Sequence, residues 1–138
     1  MLFRSVLSFG FIEHFDDVAG TFARHRDFME QDGRIVIGMP NFRGLMGLFQ
    51  RWADPTYLAL HNQRAMDAGI YRDLATQQGL RLDDVRYIDG IDPDMVRVSR
   101  LSARLALMPL RAARLLRPTD HLNGRLISSY LVMTFTRP

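Results

Sequence analysis

The chain has 138 residues, a length suited to one globular domain, and its 47% hydrophobic content is ordinary for a folded soluble protein. It contains no cysteine, which excludes a disulfide framework and a thiolate metal site and fits a reducing compartment. All 18 basic residues are arginine and the formal net charge is +3; the arginine bias reads as a coding preference, and the balance is too small to argue for nucleic-acid binding by itself.

The amino terminus, MLFRSVLSFGFIEHF, opens with one arginine and an apolar stretch, as a secretory leader does. Glu13 and His14 interrupt that stretch, and no small-residue cleavage pattern follows. No run reaches the ~18 apolar residues of a membrane span. These features predict a soluble, cytoplasmic protein.

Residues 3–9 (FRSVLSF) predict a short strand. Asp16 and Asp17 supply N-cap chemistry for a helix over 17–31, with Val18, Phe22, His25 and Met29 on one face and Asp32-Gly33 as its end. The run RIVIGMP then predicts a strand near 34–39, because consecutive β-branched residues suit a strand buried on both faces. The first forty residues thus form a βαβ unit with a right-handed crossover. Residues 41–62 hold two glycines and a proline and read as loop. Asp67 caps a second helix facing inward through Ile70, Tyr71 and Leu74 and ending at Gly79. A strand follows near 82–88. Residues 91–122 predict an Arg-rich helical insertion, two helices broken at Pro109 and closed at Pro118. RLISSYLVMTFT predicts a last strand near 126–135. The whole is an α/β layer architecture.

In open α/β sheets ligands bind beyond the carboxyl ends of the parallel strands. Two segments fall at that edge: Gly10-Phe11-Ile12-Glu13-His14-Phe15 after the first strand, and Met39-Pro40-Asn41-Phe42 after the second.

The ordered set SFGFIEHFDD, DGRIVIGMPNFRG, His61-Asn62, Gly79-Leu80, Tyr87 and SSYLV resembles class I S-adenosylmethionine (SAM) methyltransferases of the type 11/12 kind, over their carboxyl-terminal half. The resemblance covers nearly the whole chain and says little about substrate. It implies a partial Rossmann-like sheet, with strands equivalent to 4-5-7-6 of the family's 3-2-1-4-5-7-6 order and with the last strand antiparallel to the second. It also implies SAM as cofactor, with Phe9, Gly10 and Phe11 beside its methionine part. The family's glycine-rich turn and the acidic residue that holds the ribose have no counterpart here; Gly44-Leu-Met-Gly47 follows the wrong strand. On this reading the chain is one truncated domain over 1–138, carrying the insertion at 91–122. Its acceptor is expected to be a small molecule rather than a nucleic acid, and the isolated chain is expected to be inactive.

Several side chains carry two readings each. His14 is a general base or acceptor-orienting group, or a packing residue at the helix entry. Glu13 pairs with His14 or serves the helix start; the metal-binding E-x-x-E-H pattern of some relatives fails because Gly10 stands at its first position. Asn41 binds substrate or shapes the turn after Pro40. His61 lines a substrate pocket or lies at the surface. Phe49, Trp52 and Tyr57 form an aromatic lid or simply pack. Arg97, Arg100 and Arg104 predict one helical face opposite Val98, Leu101, Leu105 and Met108; with Arg111, Arg114 and Arg117 they serve an anionic substrate, RNA or a membrane surface, or form a solvated face. The competing functions are a methyltransferase, a non-catalytic domain completed by self-association or a complementing chain at the edge strand 3–9, and a basic membrane-surface protein acting through 95–117.

Overall fold

A computed structural model describes residues 1–114 and 123–138. The chain folds as two compact units, one of Met1–Met39, Asn62–Arg86 and Leu131–Pro138, the other of Pro40–His61 and Tyr87–Tyr130.

The first unit is built on a four-stranded sheet. Its strands are β1 (Phe3–Phe9), β2 (Met29–Pro40), β3 (Arg81–Ile88) and β4 (Tyr130–Thr136), in the spatial order β1-β2-β4-β3. Numbered as the resemblance implies, that order is 4-5-7-6, as expected. β1 and β2 pair in parallel through Val6↔Ile35, Leu7↔Val36 and Ser8↔Ile37. The period-two pattern of strands sets the buried face: Ile35, Ile37 and Met39 of β2 and Leu131, Met133 and Phe135 of β4 are all buried.

Helix α1 (Val18–Asp27) begins where the Asp17 side chain accepts from the Gly20 N–H at 2.8 Å. Its helical spacing turns Val18, Phe22 and His25 inward. Helix α4 (Ala68–Gln77) is capped by Asp67, which accepts from Gly69 N–H at 3.0 Å, and Gly79 leaves the helix at φ 68°. The two helices meet β4 in an aromatic cluster, with Phe22 centred 4.9 Å from Phe135 and 5.8 Å from Tyr71. Each such ring contributes about 2–3 kcal/mol through area removed from water.

The first helix is shorter than its apolar spacing predicts. It stops at Asp27, and Met29 already belongs to β2. Asp32-Gly33 is therefore not a helix end but part of an irregularity inside the strand. Between Phe3↔Met29 and Ser5↔Arg34, two steps along β1 (3 to 5) face five along β2 (29 to 34). A side chain at Gly33 would meet Met29 Cγ at 2.6 Å and backbone oxygens of Glu30 and Phe3 near 3 Å, so glycine is needed to keep the strand closed there.

The second unit is helical. Residues 41–62, expected as loop, hold α2 (Leu45–Ala53) and α3 (Pro55–Ala59). The glycines that suggested a loop serve close approach instead: a Cβ at Gly47 would lie 1.8 Å from the Phe42 carbonyl oxygen, and one at Gly44 2.4 Å from that of Leu126. Asp54 ends α2 and starts α3, its side chain accepting from Tyr57 N–H at 3.0 Å with Pro55 in the first turn. The buried Gln50 joins distant chain segments, accepting from Arg97 N–H at 2.9 Å and donating to the carbonyls of Arg97 and Asp54 at 3.0 Å each. Ser129 does the same, accepting from Asp92 N–H at 2.6 Å and donating to Gly90 carbonyl at 2.8 Å.

One helix, α5 (Leu101–Arg114), replaces the two expected on either side of Pro109. Proline inside a helix costs one hydrogen bond without having to end it; here Leu107 is buried before it, and Arg111 after it is tied to Asp94 and to the Val96 carbonyl. Arg97 and Arg100 precede α5, so the predicted arginine face with Arg104 does not exist as a helical face. The apolar spacing of Leu101, Leu105 and Met108 is not the side that packs inward. Ala103 and Leu107 are buried, whereas Leu101, Leu105 and Met108 point outward. Arg117 and Pro118 lie outside the described residues. The last strand begins at Tyr130 rather than near 126, because residues 125–127 form a turn that Ser128 N–H closes onto Gly124 carbonyl at 2.9 Å.

Candidate functional site

The carboxyl end of β1 turns sharply. Gly10 takes φ 61° and donates its N–H to the Gly38 carbonyl at 2.9 Å, so the turn stays anchored to β2. A left-handed residue with no side chain leaves backbone open at the sheet edge. Phe9 and Phe11 flank it, both exposed. A short 3-10 turn follows over Ile12–His14. It buries Ile12 and Glu13 and leaves His14 exposed, because three residues per turn cannot hide adjacent side chains and also their neighbour.

Glu13 is 0% exposed. Neither of its carboxylate oxygens has a hydrogen-bond partner, an arrangement that disfavours charge. Burial accordingly pushes its pKa above the ordinary glutamate value, a rise that the neighbouring His14 moderates. A Cβ placed on Gly10 would sit 3.8 Å from Glu13 Oε1, so the carboxyl group lies directly under the open turn. The buried hydroxyl of Tyr71 on α4 is likewise unpartnered. Its pKa rises through burial and, secondarily, through the Glu13 charge. Asn62 locks the turn, donating its backbone N–H to Glu13 carbonyl at 2.7 Å and its amide to Phe15 carbonyl at 2.9 Å.

Sequence reasoning singled out Glu13 but did not foresee that it is buried, nor that Tyr71 shares its surroundings; an acid following an isoleucine in an irregular turn gives no periodic sign of burial. A recess of about 460 Å³ beside α1 was also missed. Phe11, Phe15, Thr21, His25 and Phe28 line it. Phe11 stacks 4.7 Å from Phe15 and 6.0 Å from His25, whose Nδ1 is 2.7 Å from the Thr21 carbonyl.

Asn41 and His61 belong to the second unit. Asn41 is buried; its amide nitrogen donates to the carbonyls of Arg125 and Ser128 at 2.8 Å each, and its backbone N–H to Ser129 carbonyl at 2.7 Å. Its Oδ1 has no partner. His61 sits in a ring cluster, 5.3 Å from Phe42 and 4.8 Å from Tyr57, with Nδ1 at 2.9 Å from the Tyr57 carbonyl. The Arg97 guanidinium lies over the Tyr57 ring, 5.3 Å from its centroid. On α2, Phe49 is half-buried and Trp52 is exposed.

No family model matches the chain, and no curated protein matches it in sequence. Solved structures do. A SAM-dependent methyltransferase from Archaeoglobus fulgidus superposes with a TM-score of 0.60 at 14% identity, covering 99% of this chain and 60% of that one. An S-adenosylmethionine-dependent methyltransferase from Mesorhizobium loti gives 0.52 at 13% identity, covering 99% and 62%. The chain therefore has the fold of class I methyltransferases and spans less than two thirds of the length of these two structures.

Proposed function

From this methyltransferase fold, we propose that the chain is the acceptor-side part of an enzyme that transfers a methyl group from SAM to a small molecule. The observation that carries the reading is the open Gly10 turn at the carboxyl end of β1, in a sheet whose strand order is that of the methyltransferases. The residues present fit one wall of a SAM site. Phe9 and Phe11 offer apolar contact, Gly10 offers unobstructed backbone, and the Glu13 carboxyl group beneath offers polar atoms without partners. SAM, when bound, supplies an electrophilic methyl group on a sulfonium for in-line displacement.

His14 stands next to that wall and faces solvent. Its role is on the acceptor: it orients the nucleophile and takes its proton where the acceptor must lose one. Glu13 and Asn62 hold the turn that carries His14. Asn41 and His61 are acceptor-binding candidates, Asn41 through its unpartnered Oδ1. β1 is an edge strand with Phe3, Leu7 and Phe9 exposed. A further parallel strand bearing the glycine-rich turn is what this edge accepts in the reading proposed.

Titration calorimetry tests the division of labour. The 138-residue chain alone is expected to bind SAM weakly or not at all; micromolar affinity would overturn the reading of a single wall. In a complemented enzyme, His14→Ala should lower turnover about 10²-fold or more while leaving SAM affinity within about twofold. Unchanged turnover returns His14 to a packing role. Leu7→Lys should reduce self-association of the isolated chain in light scattering, and a sharp monomer in the unsubstituted chain would argue against an adhesive edge.

A further inference from the structure

Helix α5 is apolar on two opposite sides. Ala103 and Leu107 are buried. Successive helical residues are set about 100° apart, which brings Leu101, Leu105, Met108 and Ala112 into one stripe about 60° wide on the other side. That stripe faces outward: Leu101 is 72%, Leu105 57% and Met108 58% exposed, and Ala112 is exposed too. A helix apolar on both sides belongs either in a core or against an apolar medium.

Charge decides between possible coverings. No acidic residue occurs between Asp94 and Asp120, while Arg97, Arg100, Arg104, Arg111, Arg114 and Arg117 do. Arg100 and Arg104 are exposed, Arg104 at the flank of the outward stripe. Arg111 is turned back to Asp94, Nε to Oδ1 at 3.3 Å, and to the Val96 carbonyl at 3.3 Å, which leaves the cations beside the stripe to face outward. A nucleic-acid surface would use the arginines but has no use for three exposed aliphatic side chains at i, i+4 and i+7. A bilayer surface uses both, taking the aliphatic groups below its headgroups and the guanidiniums at its phosphates.

We propose that α5 is an interfacial membrane-docking helix for anionic lipid, with Leu101, Leu105 and Met108 as its inserting stripe and Arg100 and Arg104 as its headgroup contacts. This surface is independent of methyl transfer.

Flotation of the full chain with phosphatidylcholine vesicles, with and without phosphatidylserine, tests it. The chain should float with the anionic vesicles and be released by high salt. Leu105→Ser with Met108→Ser should weaken flotation about tenfold or more, with an unchanged melting temperature because both positions are exposed. Arg100→Gln with Arg104→Gln should weaken it about fivefold per charge removed, whereas Arg72→Gln on α4 should not. Absence of flotation with anionic vesicles, or full flotation of the Leu105/Met108 variant, overturns the proposal. So does tight binding of an RNA oligonucleotide by that same variant without vesicle binding, which points to a phosphate-backbone partner. A dimer that the serine substitutions dissolve, again without vesicle binding, points to a second copy of the chain and overturns it equally.

Discussion

In the sheet unit, Phe22, Tyr71 and Phe135 meet ring against ring, and the strands beneath them bury one alternating row of apolar side chains. The other unit has its own rings in Phe42, Tyr57 and His61, but it also relies on buried amides and hydroxyls. Gln50 binds backbone on both sides of Arg97, Asn41 binds the carbonyls of Arg125 and Ser128, and Ser129 bridges Gly90 and Asp92. The first kind of cohesion is nondirectional and scales with buried area. The second depends on geometry, and each lost partner leaves a buried backbone group unsatisfied. The two units should therefore fail differently under substitution.

The largest expected effect is in the sheet unit. Phe22→Ala should destabilise by about 3–5 kcal/mol through the cavity left against Tyr71 and Phe135, read as a lowered urea midpoint and lost amide protection in β2 and β4. Gln50→Leu, nearly equal in volume, should cost about 2–3 kcal/mol because the N–H and carbonyl of Arg97 lose the Gln50 amide and the Asp54 carbonyl keeps only Leu58 N–H. Its loss of protection should concentrate in α2 and residues 92–98. If Gln50→Leu is neutral, the second unit is held by packing like the first and the contrast falls.

Glu13→Gln sharpens the contrast at the single buried acid of the sheet unit's edge. The folded state favours the neutral acid because burial raises the Glu13 pKa. Stability from this group is thus complete below the ordinary glutamate value and is lost as pH rises through the raised folded value. The glutamine variant should melt higher than the parent chain at neutral pH, with the gap closing as pH falls toward the ordinary glutamate range. A pH-independent gap would mean that the carboxyl group stays neutral, or is not buried, throughout. The smallest effect is expected at the solvent side of the sheet, where Thr136 Oγ1 donates to Asp83 Oδ2 at 2.7 Å. This bond, ahead of Arg81, holds the Asp83 carboxyl below its usual pKa. Thr136→Val should cost about 0.5–1 kcal/mol, seen as a small shift in thermal midpoint that disappears when acid protonates Asp83.

The same contrast explains what the amino-acid sequence disclosed. Consecutive Ile35-Val36-Ile37 and the alternating Leu131, Met133 and Phe135 state their burial in local periodicity, so strand positions were legible there, while the strand order was legible only through the resemblance to methyltransferases. The end of α1 was not, because Met29 continues the helical spacing while pairing across from Phe3 decides that it belongs to β2. Helices α2 and α3 were hidden by glycines whose purpose is contact with carbonyls elsewhere in the chain. Gln50 and Arg97 are 47 residues apart, and no local pattern announces such a bond. At the candidate site, the Gly10 turn and Glu13-His14 were visible as words of a resembling family, but the burial of Glu13 beside Tyr71 is a tertiary property. The apolar spacing of Leu101, Leu105 and Met108 was visible but its exposure was not, for a related reason: periodicity identifies a face but not the side on which the rest of the protein lies.

Pro109 has no N–H to give to the carbonyl of Leu105, one turn earlier on the outward stripe. Deep in hydrocarbon an unsatisfied carbonyl costs several kcal/mol, whereas at headgroup level water satisfies it. In the docking proposed for α5, the proline would set a depth limit. It would favour shallow, reversible residence at the water boundary over burial across the acyl region, so a chain docked this way would sample the surface and leave again rather than remain as a fixed membrane component.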